Sequence, residues 1–395
     1  MKNVVGNPAR GESFYQRKRE VDKIIDRILN GNNLQIAAPR RIGKTSILYY
    51  LLDNKLEDYI YVYVDTESVT DENEFYKKLL KEIIKADDFK KSNWFKNLMQ
   101  KGNKFLSKIK SVKILGQEFD FDEAETVSDY KTEFENLLAG LEFEDAKRLI
   151  LLIDEFPQTV QNIVEANSGS TEKAIHFLQS NREIRLNPDI NLKVTFIYTG
   201  SIGLNHTVAA INGSAFINDL NSIEVEPLLP KEAVGLLQEL LAIKALHAEQ
   251  KVLNHLLAKI EWLIPFHIQL AAQEILSISD KEDNITEEII ELAFNNLIAA
   301  RNNNHFEHYY SRLKKHFKAA DFNYAEELLQ TIANNNTIDK ATAYNMALGH
   351  GVETQWRQVL EILMYDGYIN NVGNNNIYRF NSPILKMWWL RFICK

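Results

Sequence analysis

Val21, Ile24, Ile25, Ile28 and Leu29 recur at helical spacing, which predicts an amphipathic helix ending at the turn residues Asn30 to Asn33. A short strand follows at Leu34 to Ala37, then a loop, then a second helix with Ile47, Leu48, Leu51 and Leu52 on one face. Strand, loop and helix in that order make the first unit of an α/β sheet. Further strands are predicted at Tyr59 to Asp65, Arg148 to Asp154, Leu192 to Thr199 and Ser222 to Glu226. The segments YIYVYVD, LILLID and VTFIYT are almost wholly apolar or aromatic, the pattern of strands buried on both faces of a mainly parallel sheet.

The stretch between Asp65 and Arg148 is too long for one crossover. It predicts a helix around Phe75 to Ile84, a lysine-rich helix around Trp94 to Ile109, a hairpin at Val112 to Phe121, and a helix carrying Tyr130, Phe134, Leu137 and Leu141. Residues 94–122 are expected to be an insertion. After Pro227 the strand pattern stops, and residues 230–316 predict a run of amphipathic helices. Beyond Lys318 come three helices, the third with Trp356, Val359, Leu360 and Leu363, and then a hairpin formed by Tyr368-Ile369 and Ile377 to Phe380. Three helices and such a hairpin predict a winged helix. The expected domains are 1–228, 229–317 and 318–395.

The chain has 395 residues, 45% hydrophobic and 25% charged, close to an average globular protein, so disordered, collagenous and membrane classes fit badly. The single cysteine, Cys394, has no intrachain partner, which points to a reducing cytoplasm. The N-terminus lacks the apolar core of a signal peptide, and no membrane role is expected. The net charge is −8, yet residues 301–395 are mildly basic, a weak footprint for nucleic acid.

Candidate chemistry begins in the loop after the first strand, Ala38-Pro39-Arg40-Arg41-Ile42-Gly43-Lys44-Thr45, which matches the phosphate-binding P-loop with alanine at its first glycine position. A loop wrapped around phosphate needs inward backbone N–H groups, and a helix beginning at Lys44 adds its positive dipole end. Lys44 is expected to reach the β- and γ-phosphates, Thr45 to ligate Mg²⁺, and Ser46 to bond the α-phosphate. The strand Leu149 to Asp154 ends in two carboxylates: Asp154 is expected to hold Mg²⁺ through water and Glu155 to act as general base. An acid directly after the Mg²⁺ aspartate favours ATP hydrolysis, and the guanine signature Asn-Lys-x-Asp is absent.

Thr199-Gly200-Ser201 ends the next strand at the same carboxyl edge, where either hydroxyl is expected to orient the water or sense the γ-phosphate. Arg182 and Arg185 close the helix before Pro188. Either is a candidate finger for a neighbouring subunit's nucleotide, the alternative being that both are solvated or cap the helix C-terminus.

With these motifs in place the chain resembles the STAND branch of P-loop ATPases, close to the archaeal-type ATPase family, over nearly its whole length. Phe14-Tyr15-Gln16-Arg17-Lys18-Arg19-Glu20 resembles that family's opening motif, with Gln16 in place of glycine, and the resemblance implies that Arg17 lies near the adenine. Pro39 to Ser46 resembles its P-loop and Asp154-Glu155-Phe156 its Walker B. Ile264-Pro265-Phe266 resembles the Gly-x-Pro motif of the helical lid, with Leu263 at the glycine position, and implies that Pro265 approaches the nucleotide; Pro265 is equally explained as the start of an amphipathic helix. Asn381 to Phe392 resembles the segment that leads into a nuclease-like domain in longer relatives, and no nuclease is expected in this chain.

The implied function is a slow ATPase acting as a molecular switch, with ATP/ADP and Mg²⁺ as cofactors and a protein partner or self-association as output. The alternative is a DNA-binding winged helix with nucleotide in a controlling or structural part, its candidate recognition helix bearing Gln355, Trp356, Arg357 and Gln358 beside Glu353 and Glu361. In a third reading the winged helix binds protein.

Overall fold

The computed structural model describes residues 1–92, 129–142, 148–201, 203–317 and 319–394. The insertion expected at 94–122 lies outside the described residues. The chain divides into two compact units. Gln16–Ala37 and Lys44–Val225 form a sheet unit; Met1–Tyr15, Ala38–Gly43 and Glu226–Lys395 form a helical unit.

In the sheet unit β1 (Leu34–Ala37), β2 (Tyr59–Asp65), β3 (Arg148–Asp154), β4 (Val194–Thr199) and β5 (Asn221–Glu224) form one parallel sheet in the order β2-β3-β4-β1-β5. Six of the seven residues of β3 and all six of β4 are buried, which is why these strands read as continuous apolar runs. The fourth strand starts at Val194 rather than at Leu192, because Leu192 is 76% exposed and precedes the paired register. All strands run the same way, so the ends of β1, β3 and β4 share one edge.

Among the described residues the longer helices of this unit are α1 (Lys18–Leu29), α2 (Lys44–Asp53), α3 (Glu72–Lys85), α4 (Tyr130–Ala139), α5 (Phe156–Ala166) and α6 (Glu172–Leu186). Asp71 caps α3 by accepting from the Glu74 amide at 2.8 Å, which fixes where that helix begins. Phe75 of α3 then meets Phe177 of α6 and Phe156 of α5 with ring centroids 4.9 and 5.7 Å away. Each such buried ring contributes roughly 1.5–3 kcal/mol. Leu29, expected on the inner face of α1, is exposed at the helix end, while Val21, Ile24 and Ile28 are buried.

The helical unit holds α7 (Pro230–Leu241), α8 (Gln250–Ile260), α9 (Pro265–Ile278), α10 (Glu287–Asn296) and α11 (Asn304–His316). A two-residue parallel pair, β6 (His247–Ala248) and β7 (Asn284–Ile285), interrupts the helices where helices alone were expected. It is too short to leave a period in the sequence.

The C-terminal part of this unit contains α12 (Ala319–Asn335), β8 (Ile338–Asp339), α13 (Lys340–His350), α14 (Trp356–Tyr365), β9 (Ile369–Asn371), β10 (Ile377–Phe380) and α15 (Pro383–Phe392). The strands make an antiparallel sheet ordered β8-β10-β9, one strand more than the expected hairpin. The four helices and this small sheet make up the C-terminal part of the helical unit. Trp388 and Trp389 are buried in its core. Among the described residues no helix is long and apolar enough to cross a membrane.

Candidate active site

The edge where β1, β3 and β4 end carries most of the expected chemistry. In the first turn of α2, Lys44 and Ser46 are buried, and the Thr45 hydroxyl donates to Oδ2 of Asp154 at 2.8 Å. Asp154 is the last residue of β3 and is 3% exposed. Its Oδ1 accepts from the Glu155 amide at 3.1 Å, and its Oδ2 accepts from the Tyr63 hydroxyl at 3.2 Å. Burial, and then the neighbouring Glu155 charge, push the Asp154 carboxyl up to about 6, against the opposing hydrogen bond from Thr45 and the charge of Lys44. Burial and then the Asp154 charge raise the Tyr63 hydroxyl in turn.

Glu155 has a left-handed backbone, φ 58°, at the start of α5. Its Oε2 accepts from both the amide and the hydroxyl of Ser201, each at 2.9 Å. Thr199, the other hydroxyl expected here, is 2% exposed and faces the Ile36 carbonyl at 3.5 Å, so Ser201 and not Thr199 meets the acid. Gly200 between them is required by space: a Cβ there would lie 2.5 Å from Pro157 Cδ and 3.5 Å from Glu155 Cα.

The preceding loop residues, Ala38 to Gly43, lie in the helical unit. Ala38 is not among the residues of positive φ, so its backbone does not need the glycine it replaces. The left-handed positions are Arg41, φ 66°, and Gly43, φ 104°. Ala38 and Ile42 are buried, and Pro39 and Arg40 are half-buried.

Arg17 is 4% exposed and donates from Nη2 to Glu20 at 3.1 Å, and Arg19 donates to the same oxygen at 2.8 Å. Burial would raise the Glu20 carboxyl, but these arginines together hold it below the usual carboxylate range. Pro265 opens α9 in the helical unit, as its lack of an N–H favours.

The arginines of α6 differ from expectation. Arg185 is 1% exposed; it donates to both oxygens of Asp219 at 2.8 and 2.9 Å and to the Phe216 carbonyl at 2.7 Å. Its guanidinium is enclosed in the sheet unit and is not presented to a second subunit. Arg182 is partly exposed and lies 3.9 Å from Asp219.

Tyr63 and Gly200 are the site residues whose roles the sequence did not reveal. Tyr63 alternates with Tyr59 and Tyr61 along β2 and reads as packing, although its position two residues from the carboxyl end of a strand next to β3 was a usable signal.

No model of a known protein family matches this chain, and no curated protein sequence matches it. Solved structures do. A Walker-type ATPase of Pyrococcus abyssi superposes with a TM-score of 0.64 at 16% identity, covering 98% of this chain and 99% of that one. The ORC2 protein of Aeropyrum pernix, solved as ADPNP-ADP complexes, gives 0.57 at 12% identity, covering 96% and 92%. At such identities the likeness concerns the fold alone, which this chain shares with those two proteins over nearly its whole length.

Proposed function

We propose that this protein is a Mg²⁺-dependent ATP-binding and ATP-hydrolysing switch of the STAND branch. In this reading residues 229–317 serve as a lid, and residues 318–395 as a winged helix that regulates or assembles a protein partner, or a second copy, in the cytoplasm. One observation carries the reading: the first-turn hydroxyl of α2 and the terminal carboxylate of β3 meet at 2.8 Å, with a second acid directly beside them.

The residues fit a magnesium ion. Thr45 Oγ1 and Asp154 Oδ2 are hard oxygen donors, and Asp154 is a buried acid whose raised pKa a divalent cation would reverse. Among the described residues no group of three His, Cys, Asp or Glu could hold a metal by itself, so phosphate oxygens and water would complete the shell. Bound there, Mg²⁺ supplies charge neutralisation on the transferring phosphoryl group. The chain supplies the rest: Lys44, Thr45 and Ser46 hold phosphate at a helix N-terminus, and Glu155, oriented by Ser201, takes the proton of the attacking water.

Lys44→Ala tests this reading. Mg²⁺-ATP should raise the melting temperature of the wild type and not that of the variant, because binding to the native state stabilises by mass action. Equal shifts in both would overturn the assignment.

A second reading, DNA binding by the winged helix, has one supporting feature. Lys340, Tyr344, Arg357 and Asn376 line an open groove of about 700 Å³. Glu353 lines it as well, and Trp356 of the candidate recognition helix is buried. Affinity for duplex DNA that falls steeply with salt would support this second reading.

A further inference from the structure

The side chain of Arg41 is held by the helical unit. Its guanidinium carbon lies 4.0 Å from the ring centroid of Phe266, the second residue of α9, and its Nη2 lies 3.2 Å from Nδ1 of His308 on α11. A guanidinium only donates, so His308 Nδ1 accepts. Burial, and then the charges of Arg41, Arg40 and Arg312, pull the His308 imidazole down to about 2, which keeps the ring neutral and able to accept. Among the described residues Arg41 has no carboxylate partner, and burial draws its guanidinium down to about 10.

The rest of the loop is fitted to the same unit. Gly367, in the turn between α14 and β9, has φ 83°, and a Cβ on it would meet Trp262 at 2.5 Å and Pro39 at 3.3 Å. That turn is tied to α11 by Arg312, which donates to both oxygens of Asp366 at 3.0 and 3.2 Å. Three elements therefore surround the loop: α9, α11 and the α14–β9 turn. Arg41 also has a left-handed backbone that a side chain disfavours, so its side-chain contacts offset a conformation that would otherwise relax.

We propose that Arg41 is the handle by which α9 and α11 hold the phosphate loop in its binding conformation, with Phe266 and His308 as positioning residues for nucleotide binding. The inference rests on the nucleotide reading above and adds to it a regulatory route: a change in α9 or α11 would alter nucleotide affinity through Arg41.

The test is a double-mutant cycle in the full chain, read by ADP affinity and by kcat and KM for ATP. His308→Phe keeps a ring and removes the acceptor; it should weaken ADP binding about tenfold, the worth of a hydrogen bond to a charged group, and raise KM with kcat little changed. In an Arg41→Ala background the same change should have no further effect, and His308→Asn, which restores an acceptor, should recover most of the affinity. Additive effects, or wild-type affinity in His308→Phe, would overturn the inference while leaving the nucleotide reading intact. Failure of the wild type to bind nucleotide overturns both. A nucleotide-free readout guards against misfolded variants: at unchanged melting temperature, tryptic cleavage after Arg40 or Arg41 should be faster in His308→Phe than in the wild type, and equal rates would also overturn the inference.

Discussion

Ser201 gives two hydrogen bonds to one oxygen of Glu155, from its amide and its hydroxyl, both 2.9 Å long. The pair joins the end of β4 to the residue after β3, and it orients the acid proposed to activate water.

Removing one of the two donors should loosen that acid without touching the phosphate contacts. Ser201→Ala is expected to lower kcat about tenfold, consistent with losing part of a charge-assisted hydrogen bond, with ADP affinity unchanged. Ser201→Thr, which retains a hydroxyl, should lose less. Glu155→Gln should bind ATP normally and turn over far more slowly than Ser201→Ala, since an amide cannot accept the proton. Equal rates for wild type and Glu155→Gln would mean that the protein binds nucleotide without hydrolysing it.

How much of this was legible in the sequence depends on distance along the chain. β1, β2 and β3 were readable to the residue, because parallel strands buried on both faces leave long apolar runs, and the paired acids follow the last of these directly. Strands β6, β7 and β8 have two residues each and carry no periodicity. Arg185 looked like a free cation at a helix end; its partner Asp219 lies 34 positions on, in a segment with no local reason to face it. His308 is 267 positions from Arg41, and only the folded chain brings them together.

Gly200 is a position where space alone makes a prediction. Its missing Cβ would strike the ring of Pro157, which cannot rotate away, and would approach the Glu155 backbone. Gly200→Ala should cost about 1–3 kcal/mol through overpacking, and it should reduce turnover more than Ser201→Ala by separating β4 from Glu155. Thermal unfolding and steady-state hydrolysis check both parts. A melting temperature equal to that of the wild type would mean the strand end yields freely.

The raised carboxyl of Asp154 gives a pH dependence of definite sign. Between the unfolded value of about 4 and the folded value of about 6, the folded protein holds a proton that the unfolded chain has released. Stability from this group is therefore fully present below about pH 4 and lost as pH rises through about 6. His267 and His308 act in the opposite sense: burial holds them down to about 4 and about 2, so their contribution is lost as pH falls below about 6.5. Melting temperatures of metal-free wild type and Asp154→Asn, compared from pH 4.5 to 7.5, isolate the carboxyl. The difference should fall from pH 4.5 to about 6 and level off above that, and a flat difference would rule out the burial account.

The two arginines of α6 should separate cleanly. Arg185→Ala leaves Asp219, 11% exposed, without its bidentate partner, and breaking a buried pair from one side costs about 3–5 kcal/mol. A fall in melting temperature on the order of 10 °C is expected for a unit of this size. Arg182 lies 3.9 Å from the same carboxylate and is 36% exposed, so Arg182→Ala should change stability by no more than about 0.5 kcal/mol. Any arginine finger from this helix must then be Arg182, because only its guanidinium reaches the surface. If it acts in a neighbouring subunit, wild-type hydrolysis per chain rises with protein concentration, while Arg182→Ala stays at least about tenfold lower and still binds ATP. A variant rate within about twofold of wild type at every concentration would remove α6 from the reaction, because loss of such an arginine costs far more than that in known cases.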